Sequence, residues 1–263
     1  MSISKFYTEL SWDEQMLMVC DGIQQVSELN DIKCKEPKFV PVNNWRRLSS
    51  LEKEEILASA NEKDYYQNFG LVRLSGDIIT PADQEILSRL NRLDDINTAE
   101  KESLIGKLND FCSSFQIASI PQNTLGIFVK SPRQESATYD AEKGVYIGLH
   151  IDSWFKTTIE NRHERKNRIC INLGCCDRYL VFVNAPISSI YAQYNTGDND
   201  VRQLIKTYMQ DNPATKCYKL RVRPLEAYIF PTESMIHDGR CEVIGQNMDI
   251  TFTAISYYKL YNN

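Results

Sequence analysis

The chain has 263 residues, 42% hydrophobic and 25% charged, with a formal net charge of −5. These are the proportions of an ordinary soluble globular protein, and the acidic balance gives no electrostatic footprint for nucleic acid. No apolar run approaches the roughly 20 residues that span a bilayer, and the first residues lack the basic and apolar regions of an export signal.

A cytoplasmic protein with no membrane or nucleic-acid partner is therefore expected, long enough for a single domain over 1–263. Its eight cysteines (Cys20, Cys34, Cys112, Cys170, Cys175, Cys176, Cys217 and Cys241) contain no Cys-x-x-Cys. Reduced and largely buried thiols are expected, not a disulfide framework or a structural zinc site.

Residues 1–120 read as mainly helical. Ser11 and Glu14 have capping-box spacing, and Met16, Leu17, Val19, Cys20, Ile23 and Val26 recur behind them at helical intervals. Pro37 and Pro41 make 35–44 an extended connector. Further helices are predicted over 50–60, from Thr80-Pro81 to about Leu93, and over 99–115, with a short strand at 70–74.

From about residue 122 the texture changes to short strands between turn residues, at 124–130, 145–154, 168–173, 179–184, 218–223, 226–231, 236–238 and 249–258. One helix interrupts them at 198–211. Helices first and strands afterwards predict an α+β fold, with a jelly roll or barrel over 122–258 and the N-terminal helices packed on one sheet.

The chemistry concentrates at Gly148-Leu149-His150-Ile151-Asp152. Successive side chains of a strand point to opposite faces, so His150 and Asp152 emerge together while Leu149 and Ile151 face away. An imidazole and a carboxylate side by side are two members of a 2-His-1-carboxylate iron site, which leaves open positions for substrate and dioxygen. Two other histidines exist. His163 lies in a charged run that reads as a solvated loop, whereas His237 follows an apolar strand and a turn, which makes it the better third ligand. Asp238-Gly239, directly after it, reads as a turn, and 133–144 as a polar lid loop leading into the ligand strand. Trp154 and Phe155 are candidates for a substrate-pocket wall.

His150-x-Asp152 on a strand, with His237 following 87 residues later in a strand-rich half, resembles the iron(II)- and 2-oxoglutarate-dependent dioxygenases. The resemblance implies a double-stranded β-helix (cupin-like) core, Fe(II) held by His150, Asp152 and His237, 2-oxoglutarate as cosubstrate, and dioxygen with a small molecule as reactants. It also implies hydroxylation or another oxidation in preference to halogenation, because Asp152 supplies the carboxylate. Many members hold the far carboxylate of 2-oxoglutarate with an Arg shortly after the second His, yet 246–251 contain no base. Arg168, on the strand after His-x-Asp and sharing its face with Cys170 and Asn172, fits the alternative position, with Arg240 and Arg178 as competitors. An iron oxygenase that does not use 2-oxoglutarate, and a non-catalytic cupin-like binding protein, are the alternatives.

Overall fold

Successive side chains of a strand point to opposite faces, and this period of two builds the protein in layers. The computed structural model describes residues 4–57, 68–117, 120–130, 135–153, 158–159, 162, 166–194, 200–241 and 248–260. The strands are β1 (Phe6–Thr8), β2 (Leu17–Asp21), β3 (Ile23–Leu29), β4 (Ile32–Pro41), β5 (Arg46–Arg47), β6 (Phe69–Arg73), β7 (Asn123–Lys130), β8 (Tyr139–Asp140), β9 (Val145–Tyr146), β10 (Asn167–Asn172), β11 (Arg178–Pro186), β12 (Lys216–Val222), β13 (Glu226–Phe230), β14 (Met235–Cys241) and β15 (Asp249–Ser256). The helices are α1 (Ser50–Ile56), α2 (Pro81–Asn91), α3 (Thr98–Ser113), α4 (Ile187–Tyr194) and α5 (Val201–Asp211). None of these helices is long and apolar enough to cross a membrane.

A six-stranded sheet runs β1-β6-β13-β10-β15-β7, and a five-stranded sheet runs β14-β11-β12-β2-β5. Only β1 with β6 is parallel among these pairs. Tyr228, Phe230, Cys170, Leu180, Phe182 and Tyr218 meet in one apolar cluster, so the two sheets face each other across it. The alternate residues Ile169, Ile171, Ala227, Ile229, Ile250 and Phe252 point the other way and pack with Leu87 of α2 and Leu104 and Leu108 of α3. On the outside of the smaller sheet, Val181, Val183 and Ile236 pack with Ile190 of α4 and Leu204 and Ile205 of α5. The fold is thus α+β: α2 and α3 from the N-terminal part pack on the larger sheet, and α4 and α5, later in the chain, cover the smaller one.

The N-terminal third departs from the helical expectation. Residues 17–41 are strands: β2 lies in the smaller sheet against β12, and β3 with β4 forms a separate hairpin. The Ser11/Glu14 box does not start a helix. Asp13 instead closes a turn, accepting from Gln15 N at 2.8 Å, and Glu14 ion-pairs with Arg47. The apolar run is buried on both faces, with Leu17 and Val19 in the inter-sheet cluster and Cys20 in the outer one. A strand buried on both faces lacks the alternation that separates it from a helix. Gly22, at φ +142°, lets the chain turn from β2 into β3, where a Cβ would meet Val42 Cγ2 at 3.0 Å and Pro213 O at 3.1 Å. The 35–44 connector is mostly β4, with Pro37 and Pro41 tolerated on a two-stranded hairpin. The predicted helix at 50–60 is observed as α1; residues 58–60 lie outside the described residues. Helix α4 was not anticipated. All eight cysteines are free thiols.

Candidate metal centre

His150 and His237 are brought face to face by backbone pairing. His150 N donates to His237 O at 3.0 Å and His237 N to His150 O at 2.8 Å, an isolated antiparallel bridge that adds the His-x-Asp segment to the edge of β14. The regular strand predicted over 145–154 is interrupted at Gly148 (φ +73°), where the chain passes so close to the β3–β4 hairpin that a Cβ would lie 2.6 Å from Phe39 O. Leu149 N then donates to that same carbonyl at 2.9 Å, and Asp152 N donates to Thr232 O at 3.0 Å. Leu149 and Ile151 are buried in the outer cluster, so His150 and Asp152 emerge together on the inner side. The imidazole centroids are 4.7 Å apart, and one potential ligand atom from each of His150, Asp152 and His237 lies within 4.8 Å of the others.

Each ring presents its Nε2 inward. Nδ1 of His150 lies 2.7 Å from Gly148 O and Nδ1 of His237 lies 3.0 Å from Met235 O. A carbonyl can only accept, so these contacts place the proton on Nδ1 and leave the Nε2 lone pair available. Nε2 of His150 is 3.7 Å from Asp152 Oδ1, and Nε2 of His237 is 3.8 Å from Asp152 Oδ2. Burial, then the neighbouring His150, push His237 down to about 3, so its imidazole is neutral at ordinary pH. Burial opposes charge on Asp152 too, but Arg168, then the two imidazoles, outweigh it and hold the carboxylate ionised. His150 is raised: burial works against its charged form, and Asp152 and Asp238 more than compensate.

The three side chains open into a cavity of about 470 Å³. Arg168 lines it, with Nη2 in an ion pair 2.7 Å from Asp152 Oδ2; beyond that pair the oxygen accepts no hydrogen bond. Asn172, predicted on the same face as Arg168, instead donates to the carbonyls of Cys176 and Val222. Arg178 lines the cavity farther along. It is 4% exposed, with Nη1 3.0 Å from Cys170 Sγ and Nε 3.4 Å from Asp249 Oδ1, and Nε donates no hydrogen bond. Lys130 is beside it, donating to Ala137 O. Arg240 falls on the opposite parity of β14 from His237 and Gly239 and bonds Asn43 Oδ1 at 2.6 Å, away from the cavity.

Asp238 and Gly239 lie inside β14 and form no turn, because they continue the pairing with Val181 and Leu180. Asp238 accepts from Thr138 Oγ1 at 2.9 Å and from Gly239 N at 2.8 Å. The 133–144 stretch is described from 135, where it makes the β8–β9 hairpin beside the cavity. His163, Trp154 and Phe155 lie outside the described residues.

Sequence reasoning missed Arg162. It sits in the run that reads as solvated, yet it is 3% exposed. Its Nη1 donates to Asp152 O at 2.8 Å and to Glu233 O at 3.3 Å, tying the ligand strand to the turn before His237. The one available signal was the Glu160–Lys166 charge run itself, which argues for solvent. Lys130 was missed as well, because its strand end carried no motif.

Compared with known proteins, the sequence matches no protein family and no curated protein. A likeness of structure exists. It is to the Kdo hydroxylase KdoO, a non-haem Fe(II) α-ketoglutarate-dependent dioxygenase, solved with succinate and Fe(III): TM-score 0.43 and 9% identity, over 72% of this chain and 79% of that one. KdoO with α-ketoglutarate and Fe(III) gives the same TM-score and coverage at 10% identity.

Proposed function

We propose that the protein is an Fe(II)- and 2-oxoglutarate-dependent oxygenase that hydroxylates, or otherwise oxidises, a small molecule. The observation that carries this reading is the convergence of two imidazole Nε2 atoms and one ionised carboxylate on one cavity, with Asp152 Oδ2 accepting no hydrogen bond beyond its pair with Arg168. Two imidazoles and a carboxylate suit ferrous iron, and no thiolate joins them, which argues against a closed zinc site. The strand order supports the fold half of the reading. Counting β7, the His-x-Asp segment and β10 to β15 as eight strands, the sheets run first-eighth-third-sixth and second-seventh-fourth-fifth, the arrangement of a double-stranded β-helix. Because β1, β2, β5 and β6 extend both sheets, we read the chain as one domain.

In this reading His150, Asp152 and His237 hold the metal, and Arg162 and the Thr232 carbonyl fix the backbone that presents Asp152. When bound, iron and 2-oxoglutarate supply the oxidising chemistry, coupling decarboxylation of the keto acid to transfer of one oxygen atom to the substrate. Two cavity arginines suit a carboxylate bonded by a guanidinium fork. Arg168, the one strand parity singles out, is committed to Asp152 at 2.7 Å, whereas Arg178 is more deeply buried and holds its carboxylate, Asp249, only at 3.4 Å. We therefore assign the far carboxylate of 2-oxoglutarate to Arg178, with Lys130 beside it, and give Arg168 the task of orienting Asp152. Asp152 fills the third ligand place, so hydroxylation is favoured over halogenation.

Titrating the anaerobic Fe(II) protein with 2-oxoglutarate tests this. The expected result is one Fe(II) per chain and a metal-to-ligand absorption band, both lost in His150→Ala, Asp152→Ala and His237→Ala while the far-UV spectrum is kept. Full iron binding in His237→Ala would remove that residue from the site. Iron without the band would favour an oxygenase that does not use 2-oxoglutarate.

A further inference from the structure

The cavity carries more positive charge than the chemistry proposed above consumes. Among its described lining residues are four cations, Lys130, Arg168, Arg178 and Arg202, and one carboxylate, Asp152. Arg168 is answered by Asp152 and Arg178 by Asp249. Ferrous iron and the 2-oxoglutarate dianion cancel each other, so loading the site leaves this balance where it was. Lys130 donates to a neutral carbonyl, and Arg202, exposed at the start of α5, forms no ion pair among the described residues.

The apolar half of the lining is equally particular. Phe128 and Tyr139 are 41% and 48% exposed, two of only five large hydrophobic side chains exposed among the described residues, and both line this cavity. Tyr139 is backed by Tyr146, ring centroids 5.0 Å apart, which holds its ring in place on the β8–β9 hairpin. Exposed aromatic faces cost hydration unless something covers them, and they favour flat apolar bodies. A cation and two aromatic faces on one cavity recognise a molecule with both features.

We propose that the substrate of this oxygenase is an organic anion on a flat apolar body, its carboxylate or phosphate met by Arg202 and its body covered by Phe128 and Tyr139. The inference rests on the reading above for the word substrate, but the binding preference does not need the metal. Calorimetric titrations with naphthalene-2-carboxylate, 2-naphthyl phosphate and the neutral naphthalene-2-carboxamide, on both the metal-free and the anaerobic Fe(II)·2-oxoglutarate protein, test it. At least one of the two anions is expected to bind about tenfold tighter than the amide, the scale of a charge-assisted bond over a neutral one, and the tighter anion names the group. Arg202→Gln should bring the two within about threefold, and Tyr139→Ala should weaken all three probes together. Equal affinities, no binding at millimolar concentration, or a preference that survives Arg202→Gln overturns the proposal. If the 2-oxoglutarate band is absent while the metal-free preference holds, the oxygenase reading falls and the anion site stands.

Discussion

Arg168 and Arg178 share a cavity but differ in what their guanidinium groups already hold. Arg168 is 2.7 Å from the carboxylate proposed as a metal ligand, so removing it frees Asp152 to rotate and leaves its charge unanswered. Arg178 holds Asp249 only at the longer distance of 3.4 Å, with no hydrogen bond from its buried Nε, so a ligand carboxylate can compete for its guanidinium. The two substitutions therefore separate. Arg178→Ala should weaken 2-oxoglutarate by about 2–5 kcal/mol, the loss when one partner of a buried charge pair is deleted, and leave Fe(II) affinity nearly intact. Arg168→Ala should show the reverse, with looser Fe(II) and little change in 2-oxoglutarate affinity at saturating metal. Arg178→Lys keeps a charge beside Asp249 and controls for folding. Equal loss of 2-oxoglutarate in both alanine proteins would return the anchor to Arg168.

At the scale of elements, α1 is joined to both neighbouring strands through one carboxylate. Glu52, 5% exposed, closes the capping box with Ser49 and pairs with Arg46 of β5 at 2.8 Å and Lys216 of β12 at 2.7 Å. The hydrogen bonds from Arg46, against the cost of burial and with help from Lys216, hold its carboxyl well below the ordinary value of 4.5. A depressed folded value means stability that is complete above 4.5 and lost as pH falls below it towards the folded value. Glu52→Gln should lower stability at neutral pH and flatten the acid limb of a urea-midpoint profile below pH 4.5; an unchanged slope would show that other carboxylates govern acid unfolding.

Elements also explain what could be read in advance. Strands β10 and β15 alternate in sequence, with Ile169 and Ile171 on the helix-facing side and Arg168 and Cys170 inside, so their positions and the faces of His150 and Asp152 followed from period two. The segment Met16 to Cys20 is buried on both sides, and its near-continuous apolar pattern fits a helix as well as a strand. Arg162 was hidden for a different reason: its carbonyl partners lie 10 and 71 residues away and leave no local trace.

At the scale of the whole molecule, the N-terminal strands are part of both sheets. β1 and β6 extend the larger sheet from β13, and β2 and β5 extend the smaller one from β12. Phe6, Leu17, Val19 and Phe69 enter the same inter-sheet cluster as Phe182 and Phe230, and Phe230 lies 5.7 Å from the His237 ring. Residues far apart in sequence thus pack beneath the proposed metal site, and a division near residue 120 would expose that cluster. Cooperative unfolding is the consequence, since neither part retains a covered core. Leu17 is fully buried in β2, so Leu17→Ala should cost about 2–5 kcal/mol through lost burial and the cavity left behind. Far-UV circular dichroism, tryptophan fluorescence and loss of Fe(II) binding should then shift together along the urea axis. A separate early transition that spares Fe(II) binding would mean that residues 4–57 form an independent unit, and the one-domain reading would fail.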